Sequence, residues 1–197
     1  IESGRVMGLA LGILSEILSQ RDQKGNAIPY CKMSPTVYLR IGEEGGHELG
    51  TITIKLSKRT HPILSDNFVH LCIGDVKERV NGTPLTLRGS TLWSDGRVLG
   101  GGEIMDSIGR AANHNGFISQ NVPSLPLSRI RCSLAMIPLS LHRFTFTSLF
   151  FFVKNGNENL SDGIIFGDVI EGDDVLDSIQ LSIDKKTKVI ITDCGLI

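Results

Sequence analysis

The stretch Gly89-Ser90-Thr91-Leu92-Trp93-Ser94-Asp95-Gly96-Arg97-Val98-Leu99-Gly100-Gly101-Gly102-Glu103-Ile104 decides how the chain is read. Its three consecutive glycines are too short a motif to make a nucleotide cradle, and they read as strand backbone in close packing. Upstream, Leu49 to Leu56 alternates apolar and polar residues, which marks a half-buried strand. Many more short apolar runs follow, each bounded by Gly, Asn or Asp, and this spacing predicts a closed antiparallel barrel or a sandwich. Two windows read as helices. Ser65-Asp66 can cap one whose Phe68, Leu71 and Cys72 share a face. Gly172-Asp173-Asp174 places negative charge at the start of another, carrying Val175, Leu176 and Ile179, where the helix dipole favours it.

Working outward from Gly89, ordered matches extend from Ser34 to Ile197. They include Pro35-Thr36-Val37-Tyr38-Leu39, Leu49-Gly50-Thr51-Ile52-Thr53-Ile54-Lys55-Leu56, Asn67-Phe68, and Leu71-Cys72-Ile73-Gly74-Asp75. Asn81 to Ser90, Leu134-Ala135-Met136, Ser148-Leu149-Phe150-Phe151-Phe152, Ile164-Ile165-Phe166-Gly167-Asp168-Val169 and Ile190-Ile191-Thr192-Asp193-Cys194-Gly195 continue the series. In this order they resemble the cyclophilins, the peptidyl-prolyl isomerases whose central motif runs G-S-x-F-H-R-x-x-x-x-F-M-x-Q-G-G-D-F. The resemblance implies a mainly β fold, an eight-stranded antiparallel closed β-barrel capped by two helices. It assigns residues 34–197 to that barrel and leaves 1–33 as an N-terminal extension and linker.

The same resemblance implies that the chemistry has been lost. Prolyl isomerisation must overcome a barrier of roughly 18–20 kcal/mol set by amide resonance. In the family an arginine stabilises the twisted amide, a glutamine and an asparagine hold the peptide backbone, and an apolar pocket grips the proline ring. The central stretch keeps Gly89-Ser90 and Gly101-Gly102-Glu103-Ile104 but is two residues short between them. Counted from Gly89, Trp93 stands for the family histidine and Ser94 for the arginine. Counted back from Gly101, Arg97 falls on the pocket phenylalanine, Val98 on the methionine and Gly100 on the glutamine. Ile137-Pro138-Leu139 replaces the asparagine clamp, and proline supplies neither that amide nor a backbone N–H. Leu149 replaces a second glutamine, whereas Phe151 matches the phenylalanine of the proline pocket. Around Leu160 the family tryptophan and histidine become Asn159 or Glu158 and Gly163.

Composition sets further bounds. A chain of 197 residues, 41% of them hydrophobic, can bury one good core. A formal net charge of −1 argues against a general nucleic-acid binder, which needs clustered Lys and Arg. Lys77, Arg79, Arg88, Arg97, Arg110 and Arg143 are read as solvated loop charges, with a basic rim around the groove as the alternative. No run of 18 apolar residues exists, so no membrane-spanning helix is expected. Cys31, Cys72, Cys132 and Cys194 are scattered without a C-x-x-C pair, which fits free thiols in a reducing compartment. The five histidines show no metal-ligand spacing, so no metal or other cofactor is expected. The chain starts at Ile1 rather than methionine, and is expected to be part of a longer protein.

Two segments fall outside the family pattern. Between Gly4 and Gln20, Val6, Ala10, Ile13, Leu14, Ile17 and Leu18 line one apolar face of an amphipathic helix. That helix either folds back on the barrel or pairs with another chain or its own copy. Leu139 to Thr147 is longer and more apolar than its family counterpart. With Phe144 and Phe146 alternating with Thr145 and Thr147, either the following strand begins early or the phenylalanines form an adhesive patch near the groove. The expected function is that of a catalytically inactive cyclophilin-like interaction module in an intracellular protein, cytoplasmic or nuclear. Its binding surfaces are the remodelled groove (Trp93, Arg97, Val98, Phe151, Leu160) and the helix face of Val6, Ile13, Leu14 and Ile17. The alternatives are a weakly active isomerase using Arg97 and an RNA-binding domain.

Overall fold

Alternation of side chains in the first strand sets the inside of the molecule. In β1 (Thr36–Glu43) the residues Val37, Leu39 and Ile41 are fully buried, and in β2 (Glu48–Leu56) so are Ile52, Ile54 and Leu56. The computed structural model describes residues 34–75, 77, 82, 84–96, 98–104, 117–118, 132–136, 145–146, 148–154 and 163–197. The remaining strands are β3 (Thr91–Ser94), β4 (Leu99–Gly101), β5 (Phe117–Ile118), β6 (Cys132–Met136), β7 (Thr145–Phe146), β8 (Phe150–Lys154), β9 (Ile164–Glu171) and β10 (Val189–Leu196). Eight of them close into a barrel in the order β1-β10-β3-β4-β8-β6-β9-β2, and every neighbouring pair is antiparallel. Closure leaves no free sheet edge, so every strand of the ring finds backbone partners on both sides.

Two helices cap the barrel at opposite mouths. Helix α1 (Pro62–Ile73) buries Leu64, Phe68, Leu71 and Cys72, and its Cys72 carbonyl accepts a hydrogen bond from Cys194 Sγ at 3.3 Å near the end of β10. Helix α2 (Asp173–Asp184) buries Val175, Leu176 and Ile179, and Ser182 Oγ donates to Glu43 Oε1 at 2.9 Å at the end of β1. Phe68 reaches into the barrel and meets Phe150 and Phe166 edge-on, at ring separations of 5.4 and 5.6 Å. Cys72, Cys132 and Cys194 are buried and form no disulfide. Among the described residues no helix is long and apolar enough to cross a membrane.

Two local expectations are corrected. Helix α1 begins at Pro62, three residues before Ser65, with His61 as its N-cap residue. Proline is pre-set for the first helical turn, where its missing N–H has no intrahelical partner to lose. Ser65 therefore lies inside the helix, its N–H donating to the His61 carbonyl at 3.0 Å, and Asp66 pairs with Lys58 at 2.7 Å. The second correction concerns Leu139 to Thr147. Thr145–Phe146 does not lengthen the barrel strand. It forms β7, which pairs with β5 through Phe117↔Phe146 and Ile118↔Thr145 in a separate two-stranded sheet. Ser148 and Leu149 fall between β7 and β8, because Ser148 Oγ is turned to the Gly102 carbonyl at 2.6 Å.

His61 carries a consequence for acid stability. The side chain is buried and neither ring nitrogen has a hydrogen-bond partner among the described residues. Burial holds the imidazole below its ordinary pKa of 6.5, in the neutral form. The unfolded chain takes up a proton below about pH 6.5 while the folded chain does not, so stability declines as pH falls from there toward the depressed folded value. His61→Leu is expected to shrink this acid loss. Urea midpoints at about pH 7.5 and 5.5, spanning the ordinary histidine pKa, should lie closer together in the variant than in the parent chain. An identical drop in both would refute the assignment.

Candidate functional site

The two missing residues of the central stretch are absorbed by one tight turn. Strand β3 ends at Ser94 and β4 begins at Leu99, and the Asp95 N–H donates to the Val98 carbonyl at 3.4 Å. The Val98 N–H donates to Asp95 Oδ1 at 2.9 Å, and the Gly96 N–H to Ser94 Oγ at 3.1 Å. Gly96 adopts φ +84°, a conformation that a short hairpin turn demands and glycine supplies without strain. The hairpin register then follows by counting outward: Ser94↔Leu99 and Trp93↔Gly100.

From that register a row of side chains crosses the outer face of the barrel. Trp93 pairs with Gly100, Gly100 with Phe151, Phe151 with Ala135, and Ala135 with Ile165. Their neighbours Leu92, Leu99, Phe150, Phe152 and Leu134 are buried and fill the inside. Paired residues of an antiparallel sheet share a face, so the row alternates large and small: indole, hydrogen, phenyl, methyl, sec-butyl. Trp93, Phe151 and Ile165 are half-buried. Ala135 is only 1% exposed although it belongs to the outer row.

The indole lies across Gly100. A Cβ built on that glycine would stand 2.5 Å from Trp93 Cζ2 and 2.8 Å from Cε2, distances no side chain could occupy. On its far side the indole meets Phe151 edge-on, with ring centroids 5.6 Å apart and planes at 80°. Such pairs contribute about 0.5–1.5 kcal/mol beyond their buried area. Trp93 and Gly100 are therefore sterically coupled: the ring takes the volume that a residue with any Cβ would need at position 100.

The residue counted to the arginine's place faces elsewhere. Ser94 alternates away from the row, and its hydroxyl donates to Gln180 Oε1 of α2 at 2.7 Å. Gln180 Nε2 in turn donates to Asp184 Oδ1 at 2.8 Å, which orients the amide. Val98 is half-buried and lies two residues from Gly100, on the row's side of the hairpin by strand alternation. Of the predicted groove residues the structure brings Trp93 and Phe151 into contact. Arg97, Leu160, the helix face of Val6, Ile13, Leu14 and Ile17, and the Ile137-Pro138-Leu139 segment lie outside the described residues. Sequence reasoning missed Gly100, Ala135 and Ile165 as members of the row, and Gln180 as the partner of Ser94. Gly96 was the available signal, since a glycine-led turn that sets Asp95 opposite Val98 also sets Trp93 opposite Gly100.

A polar cleft of about 550 Å³ lies over the start of the β1–β2 hairpin and β10, lined by Arg40, His47, Glu48, Arg88, Thr192 and Asp193 among others. Its arginines are neutralised locally. Arg40 pairs with Glu48 at 3.5 Å, and Arg88 pairs with Asp193. Tyr38 donates its hydroxyl to Asp193 Oδ2 at 3.0 Å, and this bond together with the Arg88 guanidinium holds the Asp193 carboxyl below its usual range. Arg88, one of the loop cations considered for phosphate contact, already has a carboxylate partner, which weakens its use for nucleic acid.

Comparison with known families gives one match: the model described as cyclophilin type peptidyl-prolyl cis-trans isomerase/CLD covers residues 38–196. No curated protein matches the chain.

Proposed function

The chain belongs to the cyclophilin-type peptidyl-prolyl cis-trans isomerase family, and from that membership we propose that it is a catalytically inactive cyclophilin-like domain, a protein-interaction module of a larger intracellular protein. The observation that carries this reading is the chemistry of the outer row. Trp93, Gly100, Phe151, Ala135 and Ile165 offer rings and aliphatic surface, and the indole N–H is the row's sole side-chain donor. A preorganised cationic donor aimed at the twisted amide would supply the largest single catalytic contribution. Ser94, at the arginine's counted place, instead commits its hydroxyl to Gln180. What remains can hold an apolar partner without lowering the rotational barrier. Trp93, Val98 and Phe151 are the contact surface this reading assigns, with Arg97 and Leu160 added by the sequence.

The test is a protease-coupled prolyl-peptide assay on the full chain. Isomerisation is expected to proceed at the uncatalysed rate. Turnover well above background that disappears in Arg97→Ala would establish the weakly active isomerase instead. For the binding half, a co-purifying protein partner is expected to be lost in Phe151→Asp and kept in Lys77→Ala. Equal retention by both variants would remove the groove from the interface.

A further inference from the structure

Gly100 and Trp93 make sense only together. In the outer row the two small residues create two troughs, one at Gly100 between Trp93 and Phe151, one at Ala135 between Phe151 and Ile165. The first is already occupied: Trp93 Cζ2, Cε2 and Cη2 all come within 2.9 Å of where a Gly100 Cβ would stand. The same ring closes edge-on against Phe151. Gly100 is buried as a result, although its face of the sheet is the outer one.

We infer that Trp93 is a built-in occupant of this trough, an intramolecular plug that shuts the surface beside Phe151 to the ring of a prolyl peptide and presents a levelled aromatic face instead. The inference rests on the inactive-module reading and deepens it. The site is inert because its donors are gone and also because it is filled. Three features support a plug over a freely mobile surface ring. The indole is held from below by a residue with no side chain. It is held from the side by a phenyl ring in a favourable edge-to-face pose. The strand beneath it is anchored through the tight Asp95–Val98 turn, with hydrogen bonds at 2.9 and 3.4 Å.

The chain contains a single tryptophan, so its intrinsic fluorescence reports on this ring alone. The experiment titrates a proline-containing tetrapeptide into the full chain by calorimetry, for the parent and for Trp93→Ala and Trp93→His. Intact folding of each variant is checked by circular dichroism, and the smaller ring of Trp93→His serves if alanine weakens the hairpin. The parent is expected to give neither heat nor a change in emission. Removing the plug is expected to raise peptide affinity about tenfold, the factor that corresponds to one competing aromatic contact. Gly100→Ala is expected to expel the indole and shift its emission to the red. A saturable emission change in the parent, a parent affinity equal to that of the variants, or unshifted emission in Gly100→Ala would each overturn the inference. Turnover by the parent chain would defeat the inactive-module reading. An inert parent whose Trp93 variants gain nothing would defeat the plug alone.

Discussion

Gly102→Ala is expected to cost the domain roughly 2–5 kcal/mol, from adverse backbone geometry together with a clash that cannot relax. Gly102 holds φ +89°, and a methyl group there would come within 2.1 Å of the Ser148 carbonyl oxygen and 2.9 Å of Phe150 Cδ1. The first of these neighbours is backbone, fixed by its own bond: Ser148 Oγ donates to the Gly102 carbonyl at 2.6 Å, so the two segments clasp each other. The second is a core ring that is fully buried. Neither can retreat without opening the junction between β4 and β8. Domains of this kind have about 5–15 kcal/mol in total, so the loss should be visible as a sharp fall in the urea midpoint. A midpoint within experimental error of the parent would show that the Gly102–Ser148 crossing is not a fixed point of the fold. The close approach of Gly102 to Ser148 thus gives Gly101-Gly102 a part in the barrel itself.

Phe68→Ala is the second large effect, with an expected cost of about 3–5 kcal/mol. Phe68 is fully buried where α1 closes the barrel mouth, and it meets Phe150 at 5.4 Å and 88° and Phe166 at 5.6 Å and 68°. Its removal deletes the transfer energy of a phenyl ring, two edge-to-face contacts, and the filling between a helix and two strands that other parts of the barrel hold in place. The cavity cannot collapse fully, because β8 and β9 are both paired to β6. The urea midpoint should fall by about 2 M with little change in slope. An unaltered midpoint would mean that α1 is not part of the cooperative core. Phe151, one residue beyond Phe150, faces outward in the row, so Phe151→Ala should be the milder change. That contrast follows from strand alternation alone.

Much of this was legible in the chain. The alternation from Leu49 to Leu56, the glycine pair at Gly101-Gly102 and the ordered anchors through Asp193-Cys194-Gly195 each report a local requirement. A strand half in water, a backbone that must pass close, and a buried strand leave their mark on consecutive residues. The second helix was legible for the same reason, since Asp173-Asp174 and the spacing of Val175, Leu176 and Ile179 lie within three turns. Helix α1 was misplaced at its start because Ser65-Asp66 looks like a cap, whereas Pro62 sets the true first turn. The early start of the barrel strand at Thr145–Phe146 did not hold, because nothing local says that this pair joins Phe117–Ile118, nearly thirty positions away.

Sequence by itself determined the class of barrel and its family, because each is written in short-range pattern or in the identity of single residues. Tertiary structure alone decided where the surviving groove residues point. Only with β3, β4 and β8 side by side does Trp93 lie over Gly100 and against Phe151, while Ser94 turns to Gln180. The physical reason is that a site is a property of neighbours across strands. The turn and the hydrogen-bond register choose those neighbours, and the volume left by one residue becomes meaningful only when another residue is seen to fill it.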